Sequence, residues 1–228
     1  SASEYCPTID PCYRPDLLAF QVVSGIMLIY AGMNGLHVWH ITKTCHQLRT
    51  PHDRLLGYLP EADRLNIVTI TFQVWDFIIS TTIKEHASPI FLVHHSLAAL
   101  ISIFSLKYQM APYYTIFFAG CSEISSMFLL WCDLANFFPP TSGSHYDTCI
   151  FVFQVLFVVT FFYYRILLWF SVGRQFTQDC LHLLQQSKLC ISKTSALNFF
   201  LCNVYLLGAL QVYWFGLIVQ KAVEMFSA

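Results

Sequence analysis

Charged side chains are scarce in this chain of 228 residues. Asp, Glu, Lys and Arg make up 11% of it, whereas a soluble domain usually carries about 25%. Lys and Arg number 12 against 13 Asp and Glu, so no basic excess indicates a nucleic-acid partner. The nine cysteines include no pair with two intervening residues and form no disulfide framework. What is abundant is apolar, with 56% hydrophobic and 17% aromatic residues. This composition predicts an integral membrane protein.

Six segments are long and apolar enough to cross a bilayer, for which a helix needs about 17–25 residues. They are residues 17–41, 66–83, 89–106, 113–133, 148–170 and 196–220. The sequence therefore predicts an all-α membrane protein whose six transmembrane helices occupy a domain of residues 17–224. A polar N-terminal segment (1–16) and a short tail (225–228) flank it, and residues 42–65 and 171–195 form the longer polar loops. Only Lys84–Ser88 separates the second and third helices, so these two form an antiparallel hairpin.

Two adjacent histidines, His94 and His95, lie in the apolar stretch LVHHSLAAL. An imidazole is costly in hydrocarbon unless a partner satisfies it. At about 1.5 Å per residue, Asp76 reaches the same depth on the other arm of the hairpin. We therefore expect at least one of the two histidines within about 2.6–3.2 Å of Asp76, Glu123, or a serine or glutamine at that depth. Because neighbouring helical residues point about 100° apart, one imidazole faces the interior while the other packs or supports it.

Other helices bring polar side chains to the same depth. The stripes that carry them should face inward, because lipid cannot hydrogen-bond them. Arg165, by contrast, is expected near the opposite membrane face. The candidate catalytic residues are His94, His95, Glu123 and Asp76. The residues predicted to line the interior are Asp76, His94, His95, Ser122, Glu123, Ser126, Arg165, Gln211 and Trp214.

No metal site or cofactor is predicted, although a bound lipid is. His37 and His40 share a helix face in HVWH, but no Cys or carboxylate stands at matching spacing. With Trp39 between them, they favour an aromatic belt at the membrane interface. Cys6 and Cys12 can pair if that end faces an oxidising lumen, which the sequence does not decide.

The order of these motifs resembles the TLC-domain family of translocating-chain-associated, longevity-assurance and CLN8 proteins. KEHASPIFLVHH (84–95) is followed by Glu123, then FFYYRILLWF (161–170), then LQVYWFGLIVQ (210–220). The resemblance is densest between residues 66 and 221. It implies six helices around a cavity that is accessible to lipid, with the paired histidines facing it, and a place in an endomembrane or another organelle membrane.

Ceramide synthases of that family transfer an acyl chain to a sphingoid amine, and their paired histidines are followed one helix later by His-Asp-x-x-Asp. The corresponding stretch here is CSEISSMF (121–128), in which Glu123 aligns with the first aspartate. Ser122 stands in place of the histidine and Ser126 in place of the second aspartate. Compared with ceramide synthases, the chain therefore retains the histidine pair but lacks the His-Asp-x-x-Asp pattern. This difference favours a protein that is not an enzyme.

Three functions remain open. The leading one is a protein that binds lipid in its helical cavity and contributes to membrane lipid homeostasis or traffic. The alternatives are a lipid N-acyltransferase similar to ceramide synthases, in which a histidine deprotonates the amine, and a structural lipid-binding subunit of a larger membrane complex. The predicted partners are membrane lipids, with other membrane subunits in the third case.

Membrane orientation is predicted differently by two signals. Lys and Arg are concentrated in residues 42–65, 107 and 171–195, which places both termini outside the cytosol under the positive-inside rule. In ceramide synthases, the helix end before the histidine pair lies toward the cytosol, and this implies the opposite orientation.

Overall fold

A computed structural model describes residues 14–138, 144–186 and 189–227, all of them helix, turn or loop with no strand among these ranges. Cys6 and Cys12 fall outside the described residues. The α-helices are α1 (Pro15–Leu36), α2 (Pro51–Leu56), α3 (Pro60–Ser80), α4 (Pro89–Tyr108), α5 (Pro112–Thr115), α6 (Ile124–Phe137), α7 (Ser144–Thr160), α8 (Trp169–Gln185) and α9 (Ile191–Ser227).

Wider π-helical turns join several of these helices without breaking their direction. His37–Ile41 extends α1, Ile116–Gly120 and a 3₁₀ turn at Cys121–Glu123 connect α5 to α6, and Phe161–Leu168 connects α7 to α8. π-Helical turns occur frequently at functional sites. In this chain one of them ends three residues before Glu123, and another contains Arg165.

Five of the described helices, rather than the predicted six, are long and apolar enough to cross a membrane. They are Pro15–Ile41, Pro89–Tyr108, Pro112–Phe137, His145–Gln185 and Ile191–Glu224. The missing member is α3, in which Glu61, Asp63 and Asp76 lower the mean hydropathy of the segment. Helix α3 nonetheless packs against α4 more extensively than any other two helices pack, so the predicted hairpin is present.

The predicted loop at 171–195 is wrong over most of its length. Helix α8 continues to Gln185, so the apolar helix that begins in α7 runs well past the predicted end at residue 170. The reason is amphipathicity: Val172, Phe176, Cys180 and Leu183 recur at helical spacing and are buried, while Arg174 and Leu181 are exposed.

The bundle is packed solidly in one half and is hollow in the other. We call the two ends the hairpin side, where the α3–α4 turn lies, and the loop side, where residues 42–59 lie. The main core fills the loop-side half and includes the fully buried Tyr114, Phe117, Leu65 and Leu197. Among the described residues of the hairpin side, the buried core cluster consists of Leu17, Phe20 and Ile83.

A buried ion pair secures the loop-side half. Arg54 of α2 donates two hydrogen bonds, of 2.6 and 2.7 Å, to the carboxylate of Asp179 in α8, and the Tyr114 hydroxyl donates to the same carboxylate. The planar guanidinium suits this bidentate geometry. Residues 51–56 are thereby fixed against α8.

On the hairpin side, Arg14 ties the start of α1 to the α3–α4 turn. Its guanidinium donates to Glu85 at 2.7 and 3.0 Å and also to Asp16. The hydrogen bonds from Arg14 lower the pKa of Glu85 to about 2. Since both side chains are 32% exposed, solvent screening limits the pair to about 1 kcal/mol or less.

This pair predicts a pH-dependent contribution to stability. A carboxylate whose pKa falls on folding stabilises the fold above its unfolded pKa of about 4.3, and the effect is lost as pH falls toward the folded value. Wild-type protein should therefore exceed Glu85→Gln in melting temperature at pH 7, and the difference should vanish between pH 5 and pH 2. Thermal unfolding across this range measures it, with Glu224→Gln as control. A difference that stays constant with pH would show that Glu85 acts without its charge.

Candidate functional site

Arg165 is the centre of a buried polar network. It lies in the π-helical turn Phe161–Leu168 and is 7% exposed. Its Nε donates to the backbone oxygen of Ser122 and to Oγ of Ser125, each at 2.9 Å. Its Nη2 donates to Glu123 Oε2 at 3.1 Å and to Ser126 Oγ at 2.7 Å. Ser126 in turn donates to Glu123 at 2.8 Å, so the ion pair is held in one geometry by the surrounding hydroxyls.

Gln211 of α9 completes this network, because its Oε1 accepts from Arg165 Nη1 at 3.3 Å. The expectation that Arg165 lies near the opposite membrane face is therefore wrong. The structure brings Arg165, Glu123, Ser126 and Gln211 together at one depth. We call these residues, together with the neighbouring Gln73, His94 and His95, the polar layer. The depth estimate failed because residue 165 belongs to a helix that extends to Gln185 and was assumed to end at residue 170.

His95 pairs with α3, as predicted, but chiefly through a different partner. Its Nδ1 lies 2.5 Å from Gln73 Oε1, whereas its Nε2 lies 3.6 Å from Asp76 Oδ2. Since an amide oxygen only accepts, Nδ1 carries the proton in this arrangement. Asp76 is held by Ser80, one turn later, whose hydroxyl donates to it at 2.7 Å. A glutamine at the layer thus satisfies the imidazole, and the carboxylate is left facing the interior.

His94 points away from this pair and toward α9. Its ring meets that of Trp214 edge-on, with centroids 5.2 Å apart, and its buried Nδ1 has no hydrogen-bond partner among the described residues. Trp214 also stacks on Phe91 of α4. The two histidines therefore differ in role: His95 is supported by α3, while His94 faces the interior.

These groups lie at the inner end of a large cavity of about 620 Å³ in the hairpin-side half. Its walls are mainly apolar, and His94, His95, Glu123 and Arg165 line the end nearest the packed core. The far end, toward the hairpin side, is lined by Asp133, Asn136 and Lys221, among others. A ligand inside would meet hydrocarbon along its length and polar groups at each end.

The walls of the large cavity include one face each of α7 and α9. Phe151, Val155 and Val159 recur on α7 at helical spacing, line the cavity and are 53, 44 and 58% exposed. Leu217 of α9 also lines the cavity, and 47% of it is exposed. Helix α7 packs chiefly on α6, while α9 packs on α4 and α8. Helices α7 and α9 are thus not packed closely against each other, and we interpret the gap between them as an apolar side opening of the cavity.

Comparison with known proteins agrees with this architecture. A family model described as TLC domain matches residues 17–220. The chain belongs to the TLC-domain family. No curated protein and no solved structure matches it.

Membership in the TLC-domain family confirms the resemblance found in the sequence and makes the chain an integral, multi-pass membrane protein. In this TLC domain, Glu123 accepts a hydrogen bond from Arg165. The two histidines have other partners: His95 pairs with Gln73 of α3, and the His94 ring contacts Trp214 of α9. The Glu123–Arg165 pair and the two histidines thus line the same cavity, but no hydrogen bond joins them among the described residues.

The predicted site residues have distinct places in the TLC domain. Asp76, His95, Ser126 and Trp214 line the large cavity, and Ser122 and Gln211 line a smaller one next to it. His94, Glu123 and Arg165 line both. Gln73, which bonds His95, fulfils the expectation of a glutamine partner at that depth, whereas Ser125, which bonds Arg165, was not predicted.

HVWH lies apart from this site. Trp39 is buried in the loop-side core against Phe117 and Tyr113, so the predicted interfacial belt is wrong for that residue. His40 Nε2 lies 3.3 Å from the Tyr164 hydroxyl. Among the residues that the structure describes, no three His, Cys, Asp or Glu side chains are grouped to hold a metal ion.

Proposed function

We propose that this TLC-domain protein binds a membrane lipid in its large cavity and thereby contributes to membrane lipid homeostasis or traffic. The carrying observation is the cavity itself, with about 620 Å³ of mainly apolar space, a polar layer at its inner end and a side opening between α7 and α9. Ligand sites in proteins typically combine apolar walls with a few placed polar groups in 300–1,000 Å³. The endomembrane system is the proposed location, by analogy with the family.

The test is the lipid content of the purified protein. We expect solvent extraction and mass spectrometry to yield about one lipid per chain. Filling the cavity with Val155→Trp and Leu217→Trp should remove at least half of it, because two indoles would obstruct both walls of the side opening.

A matched double variant provides the control. Val152→Trp and Leu206→Trp lie on the same two helices, are 48 and 46% exposed, and do not line either cavity. This pair should retain the bound lipid. Equal lipid content in the two double variants would contradict the proposal, since the lipid would then be held on the outer surface.

Acyl transfer is the second candidate function, and the environment of His94 favours it. Its unpartnered Nδ1 lies in the cavity wall, where an imidazole can accept a proton from an amine. The purified protein, given an acyl-CoA and a long-chain amine, would then form an N-acyl product detectable by mass spectrometry, and His94→Ala would not. Lipid binding without any N-acyl product would contradict acyl transfer and would leave lipid binding as the supported function.

A further inference from the structure

A second, smaller cavity adjoins the polar layer on its loop side. Its volume is about 100 Å³, and Tyr114 and Phe176 of the packed core are among the residues that line it. Gln73, His94, Glu123 and Arg165 line both this cavity and the large one. The polar layer therefore forms part of the wall of both cavities.

Gln211 lines the small cavity and carries an unsatisfied hydrogen-bond donor. Its side chain is fully buried, and its Nε2 has no hydrogen-bond partner among the described residues. The orientation of its amide is fixed by chemistry, because Arg165 can only donate and so must face the amide oxygen. The NH₂ group consequently points elsewhere. A buried donor without a partner is destabilising, which indicates that an acceptor occupies this place in the working protein.

Two further groups, on residues that also line the small cavity, are unpartnered. They are His94 Nδ1 and Trp169 Nε1, both buried and without a partner among the described residues. An indole N–H, like the amide NH₂ of Gln211, only donates. The occupant of the small cavity must therefore offer an oxygen that accepts hydrogen bonds.

The charges around the large cavity disfavour an anionic occupant. Its described lining includes the carboxylates Asp76, Glu123 and Asp133 but only two fixed cations, Arg165 and Lys221. With neutral histidines, the lining carries an excess of one negative charge, and Arg165 is already paired with Glu123. A fatty acid carboxylate would add a second uncompensated charge, whereas an ester or amide carbonyl adds none.

We propose that the small cavity is a recognition pocket for the carbonyl oxygen of a neutral ester- or amide-linked lipid, with Gln211 as the donor. The acyl chain of this lipid lies in the large cavity, so the inference rests on the proposed function and names its ligand class. Gln211 is then a binding residue that selects carbonyl-bearing lipids over others of equal length.

Two neutral lipids that differ only at the carbonyl test this directly. Monoolein carries an ester, while 1-O-oleylglycerol has the same chain and glycerol group with an ether in its place. Binding of each to the full chain in mild detergent is measured by displacement of radiolabelled monoolein. We expect the ester to bind about tenfold more tightly, the effect of about one hydrogen bond.

Two substitutions assign that preference to Gln211. Gln211→Glu keeps an acceptor for Arg165 and removes the donor, and Gln211→Met removes both without charge. Both should bind the two lipids equally. Gln220→Met, on the same helix, changes a glutamine that is bonded to Glu224 outside both cavities, and should keep the tenfold preference.

The outcomes separate the two proposals. If wild-type protein binds both lipids equally, the small cavity holds water only and the carbonyl pocket is refuted, while lipid binding in the large cavity stands. If the preference persists in both Gln211 variants, another group reads the carbonyl and the assignment is refuted. If neither lipid binds although extraction still yields a bound lipid, the proposed ligand class is refuted; if extraction yields no lipid either, the proposed function itself fails.

Discussion

Replacing Arg165 by methionine should destabilise the protein more than any other single substitution in the polar layer. The change removes the hydrogen bonds to Ser122, Ser125, Ser126 and Gln211 and leaves the Glu123 carboxylate, with its side chain 18% exposed, without its cation. Breaking a buried ion pair from one side costs about 3–5 kcal/mol. Unfolding by denaturant in detergent micelles measures this loss.

Two companion variants show whether the cost arises from the unpaired charge. Arg174→Met on α8 removes an exposed arginine and should change stability by no more than about 0.5 kcal/mol. Adding Glu123→Gln to Arg165→Met removes the stranded carboxylate and should restore part of the loss, so the two effects should not add. Strict additivity would mean that the ion pair has no energetic role.

Gly120→Val should produce the second large effect, by forcing two helices apart. Gly35 of α1 and Gly120 meet backbone to backbone, and a Cβ built on Gly120 lies 2.7 Å from Gly35 Cα. Small residues permit such close approach of membrane helices. Because neither partner is a side chain that can rotate away, we expect a loss of at least about 3 kcal/mol, at the upper end of the cost of overpacking.

Gly216 offers the matched control for that substitution. A Cβ there meets nothing within 4 Å, and the residue lies inside α9. Gly216→Ala should leave stability unchanged or raise it by up to about 1 kcal/mol, from helix propensity. Thermal unfolding followed by size-exclusion chromatography compares the two. A Gly120→Val protein as stable as wild type would show that the crossing can open without cost.

Hydropathy and polar periodicity predicted much of this fold because both are local. Helix positions and the hairpin follow from apolar length and the short turn after Ser80. The pairing of His95 with α3 was expected because α3 and α4 are antiparallel neighbours, so that residues at equal distance from their turn lie side by side. The partner is Gln73 rather than Asp76.

The contacts that the sequence did not predict depend on how distant helices rotate against each other. Arg165 joins Glu123 because the helix from α7 into α8 is continuous, and no local signal fixes its depth. Arg54 and Asp179 are separated by 125 positions, and each reads as an ordinary loop charge on its own. The same holds for the small cavity, whose lining comes from six parts of the chain.

The central claim is that the hollow half of this TLC domain is a lipid site. A cryo-electron microscopy map of the protein purified in mild detergent, without added lipid, tests it most directly. We predict elongated density between α7 and α9 that runs from the level of Leu217 to the polar layer at Arg165. A cavity closed by collapse of α7 onto α9, or one containing only solvent at a resolution that shows the side chains of His94 and Trp214, would contradict it.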